Sequence, residues 1–327
     1  MSDPRIGITS TIPVEAVLAA GLVPVDLNNR FIAAAARERY LREAEARGFP
    51  ANVCSWIKGI YAAARAEGIR RVVGVTRGDC SSTEKLLEIW RHEGVETIPF
   101  DYPAAPSVAA AGEAVRAFAA RLGTTMAAAE AMRERLRPAR ALLRRLDELT
   151  WREGRVSGGE NHLWLVSASD FNGDPARFET DLRDFLARAE ARLRAVDFIP
   201  LGYAGVPPIV DDLHAFIESR GARVVFNETQ RQFAMLGESQ TLAEQYAAYT
   251  YPYDTFGRIE DIGREAGRRG LLGVIHYAQT FCHRGLEGIL LRERLGLPLL
   301  CIEADRPGPL DPRTATRIEA FLEQLRS

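Results

Sequence analysis

Three cysteines share one local pattern. Cys54 opens CSWIKGIYAAARAEG, Cys80 opens CSSTEKLLEIWRHEG and Cys282 opens CHRGLEGILLRERLG. The glycines that close these stretches are Gly68, Gly94 and Gly296, each 14 residues after its cysteine. An apolar run follows each of them: IRRVVGV, VETIPF and LPLLCI. This spells cysteine, helix, glycine C-cap, strand. A thiol at a helix start faces unpaired N–H groups and the positive end of the helix dipole, which favour the thiolate. Thiolate is the form that binds metal or attacks an electrophile. The bland alternative is three small residues packed at strand-to-helix turns, because cysteine is often buried and inert. Cys301 lies inside the apolar run LPLLCIEA and reads as a strand residue facing a core.

Three thiolates from three loops suit an iron–sulfur cluster better than zinc, which wants four ligands at short paired spacings. A cubane cluster normally takes four cysteines, so three would leave one iron open to substrate. There is no CxxC pair, and no Walker A, GxSxG or HExxH motif, so any ATP hydrolysis belongs to a partner.

Further polar residues stand near these turns or at predicted strand ends. Lys58 and Lys85 are the only lysines in an arginine-rich chain, four and five residues after Cys54 and Cys80. They read as cations near a cluster or a CoA phosphate, or as exposed helix-face residues. Thr9, Ser10, Thr11 and Glu15 sit in a loop leading to a helix with Pro13 near its first turn, as substrate contacts or as an N-cap with a charge complementing the helix dipole. Asn227 and Glu228 end a predicted strand, where a carboxylate could accept a proton. His283 follows Cys282 and could move a proton or bond to cluster sulfur. His276 and Gln279 carry weaker versions of that reading. His92, His162 and His214 have no companion signal.

The elements that must position these residues alternate. Strands are predicted at 23–27, 70–76, 95–100, 162–169, 195–203, 222–228, 271–278 and 298–304, with helical patterns between most of them. That alternation implies an α/β chain with parallel sheets covered by helices. Residues 107–150 carry no strand signal and read as two or three helices, with Gly123 and Pro138 as breaks. VSGGEN (156–161) reads as a turn into the second half. The predicted organisation is an α/β domain over 1–106, a helical connection over 107–155 and a second α/β domain over 156–327.

The 327 residues suffice for two domains, and a net charge of −2 gives no pull toward nucleic acid or an anionic membrane. No apolar run is long enough for a membrane span, and MSDPRIGITSTIPVE does not read as a secretory signal. The expectation is a cytoplasmic protein.

The sequence resembles the 2-hydroxyacyl-CoA dehydratase D-component family, which includes benzoyl-CoA reductase subunits. The segments that carry the likeness are GITSTIPVEAVLAAGLVPVDLNN (7–29), NVCSWIKGIY (52–61), GVTRGDCSST (74–83), FDYP (100–103), SASDFNGDP (167–175), NETQRQFAML (227–236), FCHRG (281–285) and RTATRIEAFLE (313–323). The resemblance implies two flavodoxin-like (Rossmann-like) domains joined by helices and a [4Fe–4S] cluster on Cys54, Cys80 and Cys282. It implies a radical (R)-2-hydroxyacyl-CoA dehydratase that eliminates water through a ketyl radical. An ATP-hydrolysing iron–sulfur activator would supply one electron, and the chain would dimerise with a paralogous subunit or with itself. Alternatives are an ATP-driven reductase of the same cluster type, acting on benzoyl-CoA-like thioesters or small molecules, and a cluster carrier without turnover. A metal-free scaffold in which the cysteines only pack is a further alternative.

Overall fold

The computed structural model describes residues 3–195 and 197–327. The strands are β1 (Arg5–Ile8), β2 (Val23–Asp26), β3 (Arg71–Arg77), β4 (Glu96–Asp101), β5 (Ile199–Gly205), β6 (Ala222–Asn227), β7 (Gly273–Gln279) and β8 (Leu299–Ala304). Between the first four lie α1 (Val14–Ala19), α2 (Leu27–Ala33), α3 (Arg37–Arg47), α4 (Ser55–Ala66) and α5 (Ser82–His92). Next come α6 (Val108–Arg121), α7 (Met126–Trp151), α8 (Gly158–Ser167) and α9 (Pro175–Glu190). The rest are α10 (Leu213–Ser219), α11 (Glu228–Ala234), α12 (Leu242–Ala247), α13 (Thr255–Arg269), α14 (Glu287–Arg294) and α15 (Pro312–Arg326).

The chain forms two compact units, each gathered from three segments. The first takes the chain up to Ala141 with Ser167–Glu179 and Phe233–Asp254. The second takes Leu142–Val166, Thr180–Gln232 and Thr255–Ser327. In the first unit the strand order is β2-β1-β3-β4, all parallel. One apolar cluster joins Ile6, Ile8, Val73 and Phe100 to Val17, Phe118 and Tyr246. Another joins Val25 and Val72 to Ile57, Tyr61, Leu87 and Trp90. A sheet packed on both faces explains why its strands read as apolar runs rather than as alternating ones. Gly74 permits close approach of α5, because a Cβ there would lie 2.7 Å from Leu87 Cδ2.

In the second unit the order is β6-β5-β7-β8, again all parallel. Phe226 and Val274 pack there on Ile262 and Leu291. Each unit therefore has the order second, first, third, fourth. In such a sheet the chain reverses direction between the first and third strands, and ligands bind outside the carboxyl ends at that point.

Three expectations change. Residues 162–169 are not a strand: α8 covers Gly158–Ser167. Ser157 and Glu160 start that helix with a reciprocal cap, Ser157 N–H donating to Glu160 Oε2 (3.0 Å) and Glu160 N–H to Ser157 Oγ (3.1 Å). Asn161, Leu165 and Ala168 are buried at helical spacing, whereas Leu163 is 64% exposed. VSGGEN is thus a helix start. The eighth strand is instead β1, a four-residue element with a glycine inside it. Pro138 does not end a helix. It lies inside α7 on the exposed side, while Leu136, Ala139 and Leu143 are buried on the other. That packing offsets the roughly 3 kcal/mol that an interior proline costs. Gly123 does close α6, at φ +76°. Val196, within the strand predicted at 195–203, lies outside the described residues, as do Met1 and Ser2 of the N-terminal stretch.

Candidate functional site

The cysteine pattern corresponds to local geometry. Cys54 is the N-cap of α4, and its carbonyl accepts from Lys58 N–H (3.2 Å). Cys80 follows β3 by three residues and precedes α5, its carbonyl accepting from Thr83 N–H (3.0 Å). Cys282 follows β7 by three residues and caps a short 3-10 turn, His283–Leu286, that runs into α14. Cys80 and Cys282 thus stand after the third strand of their respective sheets. The closing glycines have left-handed backbones, φ +66° at Gly68, +80° at Gly94 and +70° at Gly296. All three cysteines are half-buried, as is Cys301 on β8. Burial pushes the Cys301 thiol above its ordinary range.

Cys54 and Cys80 flank one core cluster of the first unit. Beside them a groove of about 650 Å³ opens among Val53, Ile57, Ser81, Lys85, Leu86 and Ile89. Two turn residues are conformationally demanding. Gly78 has φ +97°, and a Cβ there would meet Pro252 Cβ at 2.5 Å. Phe281 has φ +64° and is 72% exposed, a costly conformation for a non-glycine residue.

The two lysines differ. Lys58 is fully buried, with Nζ 2.8 Å from Glu45 Oε1 and 3.2 Å from the Ala51 carbonyl. It thereby fastens the loop that delivers Cys54. Lys85 is exposed on the groove rim and pairs with Glu88 at 2.8 Å.

Glu15, in the first turn of α1, is fully buried. It accepts from Arg140 Nη2 (2.5 Å), Gln245 Nε2 (2.8 Å) and Tyr246 Oη (2.7 Å). Burial pushes its carboxyl up, but Arg140 and these hydrogen bonds prevail and hold it below the usual range. Ser10, in the segment between β1 and α1, is also buried. Across β2, Asp26 accepts from Ser169 Oγ (2.5 Å), and its N–H donates to Asp170 Oδ2 (2.7 Å). Burial and the neighbouring Asp26 raise Asp170 to about 7, and burial raises Asp26. The sequence segments 25–29 and 167–175 therefore meet here.

In the second unit Glu228 is fully buried at the start of α11. Arg258 Nε and Nη2 hold its two oxygens at 2.7 and 2.8 Å, and Gly205 N–H donates to it at 3.2 Å. Burial pushes Glu228 up, and Arg258 more than reverses that. Arg258 Nη1 also bonds Glu287, which accepts from Arg284 Nη1 at 3.0 Å. This chain of charges connects the end of β6 to the turn after Cys282. Both oxygens of Glu228 are engaged and its basicity is lowered, so its geometry is that of a tie. Asn227 is buried, with Nδ2 3.3 Å from His162 Nδ1. The His162 and His214 rings lie 5.0 Å apart, and burial depresses both imidazoles. His283 is exposed on the turn, and partial desolvation and then Arg284 lower its pKa.

Among the described residues no three His, Cys, Asp or Glu side chains are grouped to hold a metal ion. Cys54 and Cys80 belong to the first unit and Cys282 to the second. The donor chemistry nevertheless fits an iron–sulfur cluster, which needs thiolates, and each thiol stands at a helical N-terminus. Arg140 and Arg258 had no place among the sequence candidates. Their signal was position: Arg140 falls on the buried stripe of α7 with Leu136 and Leu143.

Among the described residues no helix is long and apolar enough to cross a membrane. No curated protein matches the chain. The model of the family described as 2-hydroxyglutaryl-CoA dehydratase, D-component, matches residues 9–325. Strand-end cysteines, paired parallel sheets and a match over nearly the whole length lead to one assignment: the chain belongs to the 2-hydroxyglutaryl-CoA dehydratase D-component family, a family of components of 2-hydroxyacyl-CoA dehydratases.

Proposed function

We propose that this chain is the cluster-bearing subunit of a radical (R)-2-hydroxyacyl-CoA dehydratase, with Cys54, Cys80 and Cys282 as its three thiolate ligands. The observation that carries the reading is the family match combined with thiols at the carboxyl ends of β3 and β7 and at the start of α4. A [4Fe–4S] cluster bound there supplies a low-potential one-electron centre and an iron open to an oxygen ligand. The residues of the chain fix the thiols and shape the approach to them. Lys58 holds the Cys54 loop through the Ala51 carbonyl. Arg258, Glu287 and Arg284 brace the Cys282 turn. The groove beside Cys54 and Cys80 has an apolar floor and Lys85 on its rim, a lining that suits the apolar and anionic parts of a CoA thioester. Ser10, Asn227 and His283 are further candidates for contact or proton transfer. A separate ATP-hydrolysing activator and a second subunit complete the proposed system.

The test is iron and acid-labile sulfide per chain after anaerobic purification. The wild type should hold about four irons, the content of a cubane cluster. Cys54→Ala, Cys80→Ala and Cys282→Ala should each lose the cluster, and Cys301→Ala should keep it. A wild type without iron after reconstitution would sink the reading. With activator present, catalytic electrons mark a dehydratase, and electrons consumed at every turnover mark a reductase.

A further inference from the structure

The turn that carries Cys80 rests on a segment from far along the sequence. Gly78 directly follows β3, at φ +97°, a backbone that favours glycine. A Cβ there would lie 2.5 Å from Pro252 Cβ, 3.2 Å from Pro252 Cα and 3.1 Å from Tyr102 Cβ. The main chain of the turn therefore lies against Pro252 with no room for a side chain between them.

Both sides of this contact are held. On the side of the turn, Thr76 Oγ1 donates to Asp101 Oδ1 (2.5 Å), and Tyr102 N–H donates to the Arg77 carbonyl (3.2 Å). These bonds fasten the end of β3 to β4 across a register shift between Val75 and Arg77. On the opposite side, Tyr253 N–H donates to the Thr250 carbonyl (3.0 Å), which closes a tight turn around Tyr251 and Pro252. That turn is anchored by buried rings. Tyr249 stacks on Tyr251 with centroids 6.2 Å apart and meets Tyr102 at 5.4 Å, and Tyr251 meets Phe233 at 5.6 Å. Tyr102 serves both sides, because its Oη also donates to the Thr11 carbonyl (2.9 Å). Proline has a fixed φ, so Pro252 is a stiff surface for Gly78 to rest on. Only Asp79 separates Gly78 from Cys80, whose carbonyl is already engaged by Thr83 N–H (3.0 Å). A displacement at Gly78 is thus passed to the thiol within two residues, and a bound group needs its ligands held to about 0.5 Å.

We infer that Pro252 is a positioning residue for Cys80: it fixes where the turn stands and so where the thiol is presented. The inference rests on the reading of Cys80 as a cluster ligand. The experiment compares wild type, Pro252→Ala, which keeps the Cβ that faces Gly78, and Pro252→Gly, which removes it. In the full chain without iron, alkylation by iodoacetamide is timed at each cysteine by peptide mass spectrometry. Pro252→Gly should react about fourfold faster at Cys80, the scale of one lost methylene contact, with Cys54 and Cys301 unchanged. After anaerobic reconstitution its reduced cluster should give a shifted electron paramagnetic resonance signal. Pro252→Ala should match wild type in both measurements. Unchanged alkylation at Cys80 in Pro252→Gly, equal acceleration at all the cysteines, or a wild-type resonance signal overturns the inference and leaves the cluster reading standing. A wild type that holds no iron overturns both.

Discussion

Replacing Arg258 with methionine tests whether the Glu228 network braces the second unit. Glu228 and Arg258 are 0% and 1% exposed, so neither can be rehydrated in place. Methionine fills much of the same space without the charge. It leaves a buried carboxylate with one backbone donor, Gly205 N–H. Removing one partner of a buried pair costs about 3–5 kcal/mol, far more than the net worth of the pair. For a cooperative unit of this size that corresponds to a fall of roughly 6–20 °C in Tm. Glu287 keeps Arg284, so the loss centres on Glu228. The pH dependence follows from the sign of the shift. Arg258 holds Glu228 below its ordinary range, so the pair stabilises the fold above that range and the contribution fades as pH falls through the lowered value. Without Arg258 the buried carboxyl takes up a proton more readily. The difference between wild type and Arg258→Met should therefore be larger at pH 8 than at pH 5. Glu228→Gln/Arg258→Met should recover at least half of the loss, because it removes the stranded charge. Thermal melts at both pH values decide the matter. An Arg258→Met protein melting within about 2 °C of wild type, or a double variant no better than the single one, would refute the reasoning.

Three other outcomes are expected. Lys58→Met should cost about 1–3 kcal/mol, the penalty for an unpaired polar group, because Glu45 is partly exposed and can regain water; bound iron should fall with it, whereas Lys85→Met should leave Tm and iron unchanged. Gly74→Ala should cost about 1–3 kcal/mol in denaturant unfolding, since the new methyl would sit under 3 Å from three atoms of Leu87, and Gly74→Ala/Leu87→Val should restore part of it. Asp170 is raised to about 7, so it favours folding most below the ordinary carboxylate range and that contribution is lost as pH rises through about 7; the Tm of Asp170→Asn relative to wild type should climb between pH 5 and 8, and a constant difference would exclude the buried acid as its source.

The helix-to-strand grammar around the cysteines was legible because its punctuation is local. A glycine with φ near +70° closes each of those helices, and that requirement is written into one residue. The error at 162–169 arose where local signals conflict. HLWLV is apolar enough for a buried strand, and only the Ser157–Glu160 cap separates the two readings. The buried arginines were illegible for another reason. Arginine is abundant throughout this chain, so type alone says nothing about which ones face inward. Arg140 meets Glu15 across 125 residues of sequence, and Arg258 meets Glu228 across 30. Position on an apolar stripe marks such a residue, but its partner is set by the tertiary fold.

The two units share a strand order but not an electrostatic plan, and the contrast bears on how they divide their work. Asp26 ends the second strand of the first sheet, and Asn227 followed by Glu228 ends the second strand of the other. At Asp26 the neighbours are hydroxyl, amide and a second carboxyl, so burial raises both acids. At Glu228 a guanidinium closes on the carboxylate, so burial is overruled and the acid is lowered. A carboxyl near 7 exchanges its proton at physiological pH, whereas an arginine-bound carboxylate stays ionised and fixed. The same topological position therefore holds a proton-exchanging pair in one unit and a charge brace in the other. The brace reaches the turn after Cys282, one of the three proposed cluster ligands. The exchangeable pair stands in the unit that also holds the groove beside Cys54 and Cys80, and it supports the loop under Arg140. If units with the same strand order have diverged in this way, exchanging the acids should not be symmetric. Asp26→Asn should change the pH dependence of stability with little loss at pH 5, while Glu228→Gln should lower stability at every pH above the ordinary carboxylate range.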